Sequence, residues 1–141
     1  MDRHATAVWQ GGLKDGKGTL STESKALSAL PYSFATRFES APGSNPEELL
    51  GAAHAGCFSM ALSAQLGEAG IKPERIETKA KVTLEKLESG PTITRSHLDV
   101  VVRAPGADRT KFEAAAEKAK VGCPLSKVLK AAISMNARLE G

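Results

Sequence analysis

Hydrophobic and polar positions alternate near the start of the chain, where Ala5, Ala7 and Trp9 fall on one face of residues 5–10. Gly11-Gly12 and Asp15-Gly16-Lys17-Gly18 interrupt the alternation, which resumes over residues 19–22, so the pattern predicts a hairpin. Residues 33–39 read as a further period-two segment, with Phe34, Thr36 and Phe38 on one side and Ser33, Ala35, Arg37 and Glu39 on the other. That reading makes Arg37 project away from the phenylalanines. After the breaker cluster Ala41-Pro42-Gly43-Ser44, the run Asn45-Pro46-Glu47-Glu48 predicts a helix start. Ser44 or Asn45 can cap it, the proline suits the first turn, and the glutamates sit at the positive end of the macrodipole. Helical composition continues to about residue 67, and apolar or small residues surround the helix instead of striping one face, which predicts burial on most sides. Gly51 and Gly56 allow another backbone to approach closely, which points to a partner subunit.

Two long alternating runs follow. Residues 75–87 carry Ile76, Thr78, Ala80, Val82 and Leu84 in alternation, residues 92–103 carry Leu98, Val100 and Val102, and Glu88-Ser89-Gly90-Pro91 turns the chain between them. They should pair as an antiparallel hairpin. Residues 108–120 place Phe112, Ala115, Ala116 and Ala119 on one helical stripe, a short helix should start near Cys123-Pro124, and Ile133, Met135, Ala137 and Leu139 alternate as a last strand. Strands segregated around a long central helix define an α+β class, and the length suits a single domain spanning residues 1–141.

Composition changes this picture little. At 41% hydrophobic and 25% charged the chain reads as globular, and its net charge of +3 is scattered without the like-charge run that a nucleic-acid or lipid surface would select. The expectation is therefore no nucleic-acid and no membrane partner. The first residues lack an apolar signal region, and no stretch is read as approaching the roughly 18 apolar residues of a membrane helix, so a cytoplasmic location is expected. In that compartment a structural disulfide is disfavoured, and the two cysteines pose a choice between catalysis, metal binding and plain burial.

Cys57 lies within the apolar helix, where a small buried hydrophobe is the simplest reading. Cys123 precedes Pro124 at a helix start, where unpaired N–H groups activate a thiol and leave its sulfur near the surface. One core and one exposed cysteine suggest a division of labour, and the absence of Cys-x-x-Cys argues against thioredoxin-type exchange. About three turns into its helix, Cys57 is beyond the reach of the dipole, so a charge must activate it. A guanidinium about 4 Å away, at an effective dielectric of about 20, is worth about 4 kcal/mol to a thiolate before desolvation. Arg37 is the candidate, against the alternative of a solvated strand residue. His54, one turn before Cys57, could act as base or metal ligand, but a hydrogen-bonded structural histidine is the simpler reading. A Cys57–His54–Cys123 zinc site lacks a fourth ligand. Tyr32, Phe34, Phe38, Phe58 and Met60 read as core, some of them as lining for an apolar pocket.

Three separated stretches give the chain a resemblance. Tyr32-Ser33-Phe34-Ala35-Thr36-Arg37-Phe38-Glu39, then Asn45-Pro46-Glu47-Glu48-Leu49 through Ala53-His54-Ala55-Gly56-Cys57-Phe58-Ser59-Met60, and Lys120-Val121-Gly122-Cys123-Pro124-Leu125-Ser126 together resemble the OsmC branch of the OsmC/Ohr family. These are the osmotically inducible and organic hydroperoxide resistance proteins, and the match runs essentially the whole length. The resemblance implies a thiol peroxidase acting on organic hydroperoxides and hydrogen peroxide in stress defence, built as an intertwined homodimer with long central helices enclosed by sheets. By position, Cys57 matches the peroxidatic cysteine, Cys123 the resolving cysteine, Arg37 the catalytic arginine and Glu47 the glutamate that holds it. The Ohr branch places its arginine in the N-terminal hairpin region, where residues 11–16 here offer only lysine, so Arg37 fits OsmC instead.

The implied cycle runs from a Cys57 sulfenic acid to a Cys57–Cys123 disulfide, reopened by a dithiol reductant, with a lipoyl-type dithiol as one candidate, at an accessible sulfur expected to be that of Cys123. It requires no metal, flavin or haem cofactor. Glu47 and Cys57 are separated by ten positions, about 15 Å along one helix, which predicts a site shared between two subunits. Two other readings stand beside this one: a non-catalytic dimer that binds a hydrophobic ligand, and a redox sensor using the cysteine pair as a switch.

Overall fold

A computed structural model describes all 141 residues, Met1–Gly141. The chain forms two compact units, Met1–Leu49 and Leu50–Gly141.

In the first unit, β1 (Ala5–Gln10), β2 (Lys17–Thr22) and β3 (Leu30–Tyr32) form an antiparallel sheet in that order. The expected hairpin is present, with Ala5 opposite Thr22 and Gln10 opposite Lys17. Gly18 of β2 pairs with Trp9 on one side and Tyr32 on the other, and the two rings close over it with centroids 5.4 Å apart. A methyl group at Gly18 would come within 2.6 Å of both rings, so glycine is what lets them meet. The strand β3 has no alternating signature: it is three residues long with Pro31 at its centre.

Residues 33–39, read above as extended, are instead the helix α1 (Phe34–Phe38). A capping box decides the matter: the Ser33 hydroxyl accepts from the Thr36 N–H at 3.3 Å, while the Ser33 N–H donates to the Thr36 hydroxyl at 2.9 Å. The helix puts Phe34 and Phe38 one turn apart, ring centroids 5.0 Å from each other, and lays the Arg37 guanidinium 5.1 Å over the Phe38 ring. Arg37 therefore packs on a phenylalanine instead of pointing away from it.

The helix α2 (Pro46–Glu68) begins where the sequence predicts. Of the two candidate caps, Asn45 caps it: its side-chain oxygen accepts from the Glu48 N–H at 2.8 Å, while its amide donates to the Thr36 carbonyl at 3.1 Å. One residue thus ties α1 to the start of α2. Ser44 instead donates to the Glu48 carboxylate at 3.2 Å.

In the second unit, β4 (Arg75–Leu87) and β5 (Gly90–Arg103) form the expected antiparallel hairpin, closed by a turn at Glu88 and Ser89. β6 (Ala132–Glu140) joins the other edge of β5 in parallel. The connection from β5 to β6 is made by α3 (Arg109–Gly122), capped by Asp108, and the five-residue α4 (Pro124–Val128). The predicted stripe Phe112, Ala115, Ala116 and Ala119 is buried, and it packs with Leu98, Val100 and Val102 of β5 and with Phe58, Leu62 and Leu66 of α2 in one core.

Within α2, His54, Phe58, Leu62 and Leu66 recur every fourth residue and are buried. Ala52, Ala53, Gly56, Met60 and Ala64 are exposed, Met60 by 79%. The chain alone thus covers one face of a helix expected to be buried on most sides, and Met60 is not a core residue within it. With 23 residues, α2 is also long and apolar enough to cross a membrane by length and composition, which corrects the expectation that no stretch is. Its buried face belongs to a protein core.

Candidate active site

The second unit brings the two cysteines together. Cys57 projects from α2 toward the junction of α3 and α4, where Cys123 serves both helices: its N–H donates to the Ala119 carbonyl, ending α3, and its carbonyl accepts from the Lys127 N–H, both at 3.0 Å, opening α4. Pro124 suits the first position of α4, where no N–H is needed. Both thiols are free, and the two Sγ atoms are 3.1 Å apart. A disulfide, with S–S of about 2.05 Å, requires a closure of only about 1 Å.

Their exposures reverse the expectation. Cys123 is 0% exposed, enclosed in the core with Ala115, Ala116 and Ala119, whereas Cys57 is half-buried. The cause is that Cys123 closes the buried stripe of α3 before it begins α4. The reactive surface of the pair is on Cys57, and Cys123 is not the accessible sulfur. Burial, and then the neighbouring Cys123, push the Cys57 thiol above its ordinary range, while the Leu125 backbone N–H acts in the other direction. A thiol held up in this way needs a cation before it is thiolate at neutral pH.

One turn before Cys57, His54 is 0% exposed, and both ring nitrogens are engaged: Nδ1 with the Ser96 hydroxyl of β5 at 2.7 Å, and Nε2 with the Ser126 hydroxyl of α4 at 2.8 Å. This is the hydrogen-bonded structural histidine of the sequence reading, its ring turned to hydroxyls and not to the sulfurs. The serines went unread because 42 and 72 residues separate them from His54. Only the place of Ser126 beside Cys123-Pro124 hinted at a role. Burial lowers the His54 pKa from its ordinary value. The unfolded chain therefore takes up a proton at this residue below about pH 6.5, while the folded one stays neutral to lower pH. Stability is fully present above that pH and falls below it, by up to about 1.4 kcal/mol per pH unit, until the folded-state pKa is reached. In urea unfolding, wild type should lose more stability than His54→Gln between pH 7 and pH 5.5. Equal losses would show that His54 does not stay neutral.

The first unit holds the other charged constellation. Arg37, in the last turn of α1, grips Glu47, in the first turn of α2: Nε donates to Oε1 at 3.1 Å and to Oε2 at 3.3 Å, and Nη2 donates to Oε1 at 2.8 Å. Glu47 is buried, and its carboxylate lies where the helix dipole favours an anion. Such a fork leaves the remaining N–H groups of Arg37 free to face a second anion. Thus the four candidate residues fall into two pairs, Cys57 with Cys123 and Arg37 with Glu47.

Comparison with known proteins identifies the family. The family model described as OsmC-like protein matches residues 39–138. The chain is 54% identical over 140 residues to the protein named Peroxiredoxin OsmC of Escherichia coli (strain K12), covering 99% of this chain and 98% of that one. It is 28% identical to an organic hydroperoxide resistance protein of Xanthomonas axonopodis pv. citri (strain 306), covering 96% and 92%. Among solved structures, the organic hydroperoxide resistance protein OhrB of Bacillus subtilis superposes with a TM-score of 0.67 at 26% identity, over 97% of this chain and 98% of that one. Matched along most of its length by the family model and along nearly all of it by a relative more than half identical, this chain belongs to the OsmC family.

Proposed function

We propose that this protein is a cysteine-based peroxidase that reduces organic hydroperoxides, and hydrogen peroxide, with Cys57 as the nucleophile and Cys123 as the resolving thiol. The observation that carries the reading is the pair of free thiols 3.1 Å apart, one half-buried and one enclosed. The names of the relatives, peroxiredoxin and organic hydroperoxide resistance protein, support it.

The Cys57 thiolate attacks one oxygen of the O–O bond, the other leaves as alkoxide and takes a proton to become alcohol, and Cys57 is left as a sulfenic acid. The Cys123 sulfur then attacks Cys57 Sγ, releasing water and forming the disulfide. A dithiol returns the pair to the reduced state by exchange. Because Cys123 is enclosed, the exposed electrophile is Cys57 Sγ, and Cys123 is the leaving thiolate. Arg37, oriented by Glu47, stabilises the Cys57 thiolate and the charge that develops on the leaving oxygen.

The working unit is a homodimer. The exposed face of α2 is apolar and small, and a Cβ at Gly56 would meet nothing within 4 Å, so a second helix can approach closely there. Since Glu47 and Cys57 are ten positions apart on one continuous helix, about 15 Å along its axis, Arg37 and Glu47 of one subunit serve Cys57 and Cys123 of the other.

Titration with cumene hydroperoxide tests the chemistry. Reduced protein should consume one hydroperoxide and lose two thiols per chain, form an intrachain disulfide, and turn over continuously once dihydrolipoamide is supplied. Hydroperoxide left intact would favour a ligand-binding protein, and a single oxidation without sustained turnover would favour a sensor.

A further inference from the structure

We propose that Ser126 and His54 are positioning residues for the resolving step: their hydrogen bond holds α4, and with it Cys123, against the helix that carries Cys57. This rests on the roles given above to the two cysteines.

Little else holds α4. It is five residues long, buries no residue fully, and has no side-chain cap at its start. A helix this short is not stable on its own. Leu125 packs partly against the core and turns its backbone N–H to the Cys57 sulfur, and the Ser126 hydroxyl meets His54 Nε2 at 2.8 Å, the one side-chain hydrogen bond that α4 makes to α2. That bond joins the two segments bearing the sulfurs: His54 stands one turn before Cys57 on α2, and Ser126 three residues after Cys123.

His54 is itself immobile. Its ring is fully enclosed, and Nδ1 is held by Ser96 of β5 at 2.7 Å. A neutral imidazole offers one donor and one acceptor, and each serine hydroxyl can supply whichever is missing, so either tautomer satisfies both bonds. The result is a rigid line from sheet to α2 to α4, neutral throughout, which keeps the sulfurs within about 1 Å of disulfide geometry.

Timing gives this geometry a consequence. Once Cys57 is a sulfenic acid, Cys123 attack with loss of water competes with a second hydroperoxide, which oxidises it to the sulfinic acid with release of another alcohol. Loosening α4 lowers the fraction of time Cys123 is in line for attack, whereas the first oxidation, to which α4 contributes only the Leu125 N–H beside Cys57, changes far less.

Ser126→Ala removes the bond at a half-buried position and is compatible with folding, which thermal unfolding will check. The loss of Cys57 thiol to cumene hydroperoxide should keep its second-order rate within about twofold of wild type. The hydroperoxide concentration giving half disulfide and half sulfinic acid, read by mass spectrometry, should fall by about three- to tenfold, as expected for one hydrogen bond. Ser126→Thr, which keeps the hydroxyl, should restore the wild-type partition. A wild-type partition in Ser126→Ala overturns the proposal, as does an equal slowing of the first step. Cys123→Ala, run alongside, separates this from failure of the underlying reading: if it yields no more sulfinic acid than wild type, Cys123 is not the resolving thiol.

Discussion

Cys57→Ser should abolish hydroperoxide reduction, lowering the rate at neutral pH by at least about a thousandfold, because a serine hydroxyl is not ionised there and cannot replace a thiolate as nucleophile. Cys123→Ser should instead complete one turnover and stop. The contrast between a dead variant and a one-turnover variant separates the roles of two thiols only 3.1 Å apart. Cys123 is fully enclosed, so serine there buries a hydroxyl at a cost of about 1–3 kcal/mol, and Cys123→Ala provides a control free of that burden. In both Cys123 variants a sulfenic acid should accumulate on Cys57, trappable by dimedone, and pass to sulfinic acid in excess hydroperoxide. The measurement is alcohol formed per chain in the first turnover. Undiminished alcohol formation by Cys57→Ser would remove the proposed nucleophile.

The fold was legible wherever one period ran long enough to dominate. The 23-residue helix α2, the hairpin of β4 and β5, and the Phe112, Ala115, Ala116, Ala119 stripe all follow from spacing alone. Residues 33–39 failed because a segment of one or two turns fits periods of 2 and 3.6 equally well. The decisive signal was local, the reciprocal Ser33 and Thr36 hydrogen bonds, which a count of apolar positions does not register. The parallel pairing of β6 was not legible either, since it depends on the path through α3 and α4.

At the site, residue types pointed to the chemistry but not to the exposure. A cysteine before a proline at a helix start usually faces solvent, yet Cys123 also terminates a buried stripe, and that second role encloses it. Cys57 lies on a helix whose composition predicts all-round burial, yet it stays half-exposed because one chain covers a single face. Both errors share an origin: burial depends on neighbours brought from elsewhere in the chain, or from a second chain, and local pattern does not contain them.

Arg37→Lys should lower kcat/KM for organic hydroperoxides by about 10²- to 10³-fold at neutral pH, the scale of removing an oriented charged donor from a reacting oxygen. Lysine keeps the charge but cannot make the three contacts that hold the guanidinium on Glu47. Since burial and Cys123 hold the Cys57 thiol up, the variant should regain rate as pH rises and hydroxide does part of the work of the misplaced cation. A variant merely damaged in its fold would not show that rise. Glu47→Gln, which keeps one acceptor for the fork, should cost less, about tenfold. Where the arginine comes from is then read from mixed dimers. Neither Cys57→Ser nor Arg37→Ala homodimers should be active, but a dimer of one chain of each contains one composite site with both groups intact, if Arg37 acts across the interface. It should recover about half the activity of the wild-type dimer, because two-fold symmetry gives two such sites and one survives. Mixed dimers as inactive as their parents would place Arg37 and Cys57 of the same chain in one site and end the two-chain assignment.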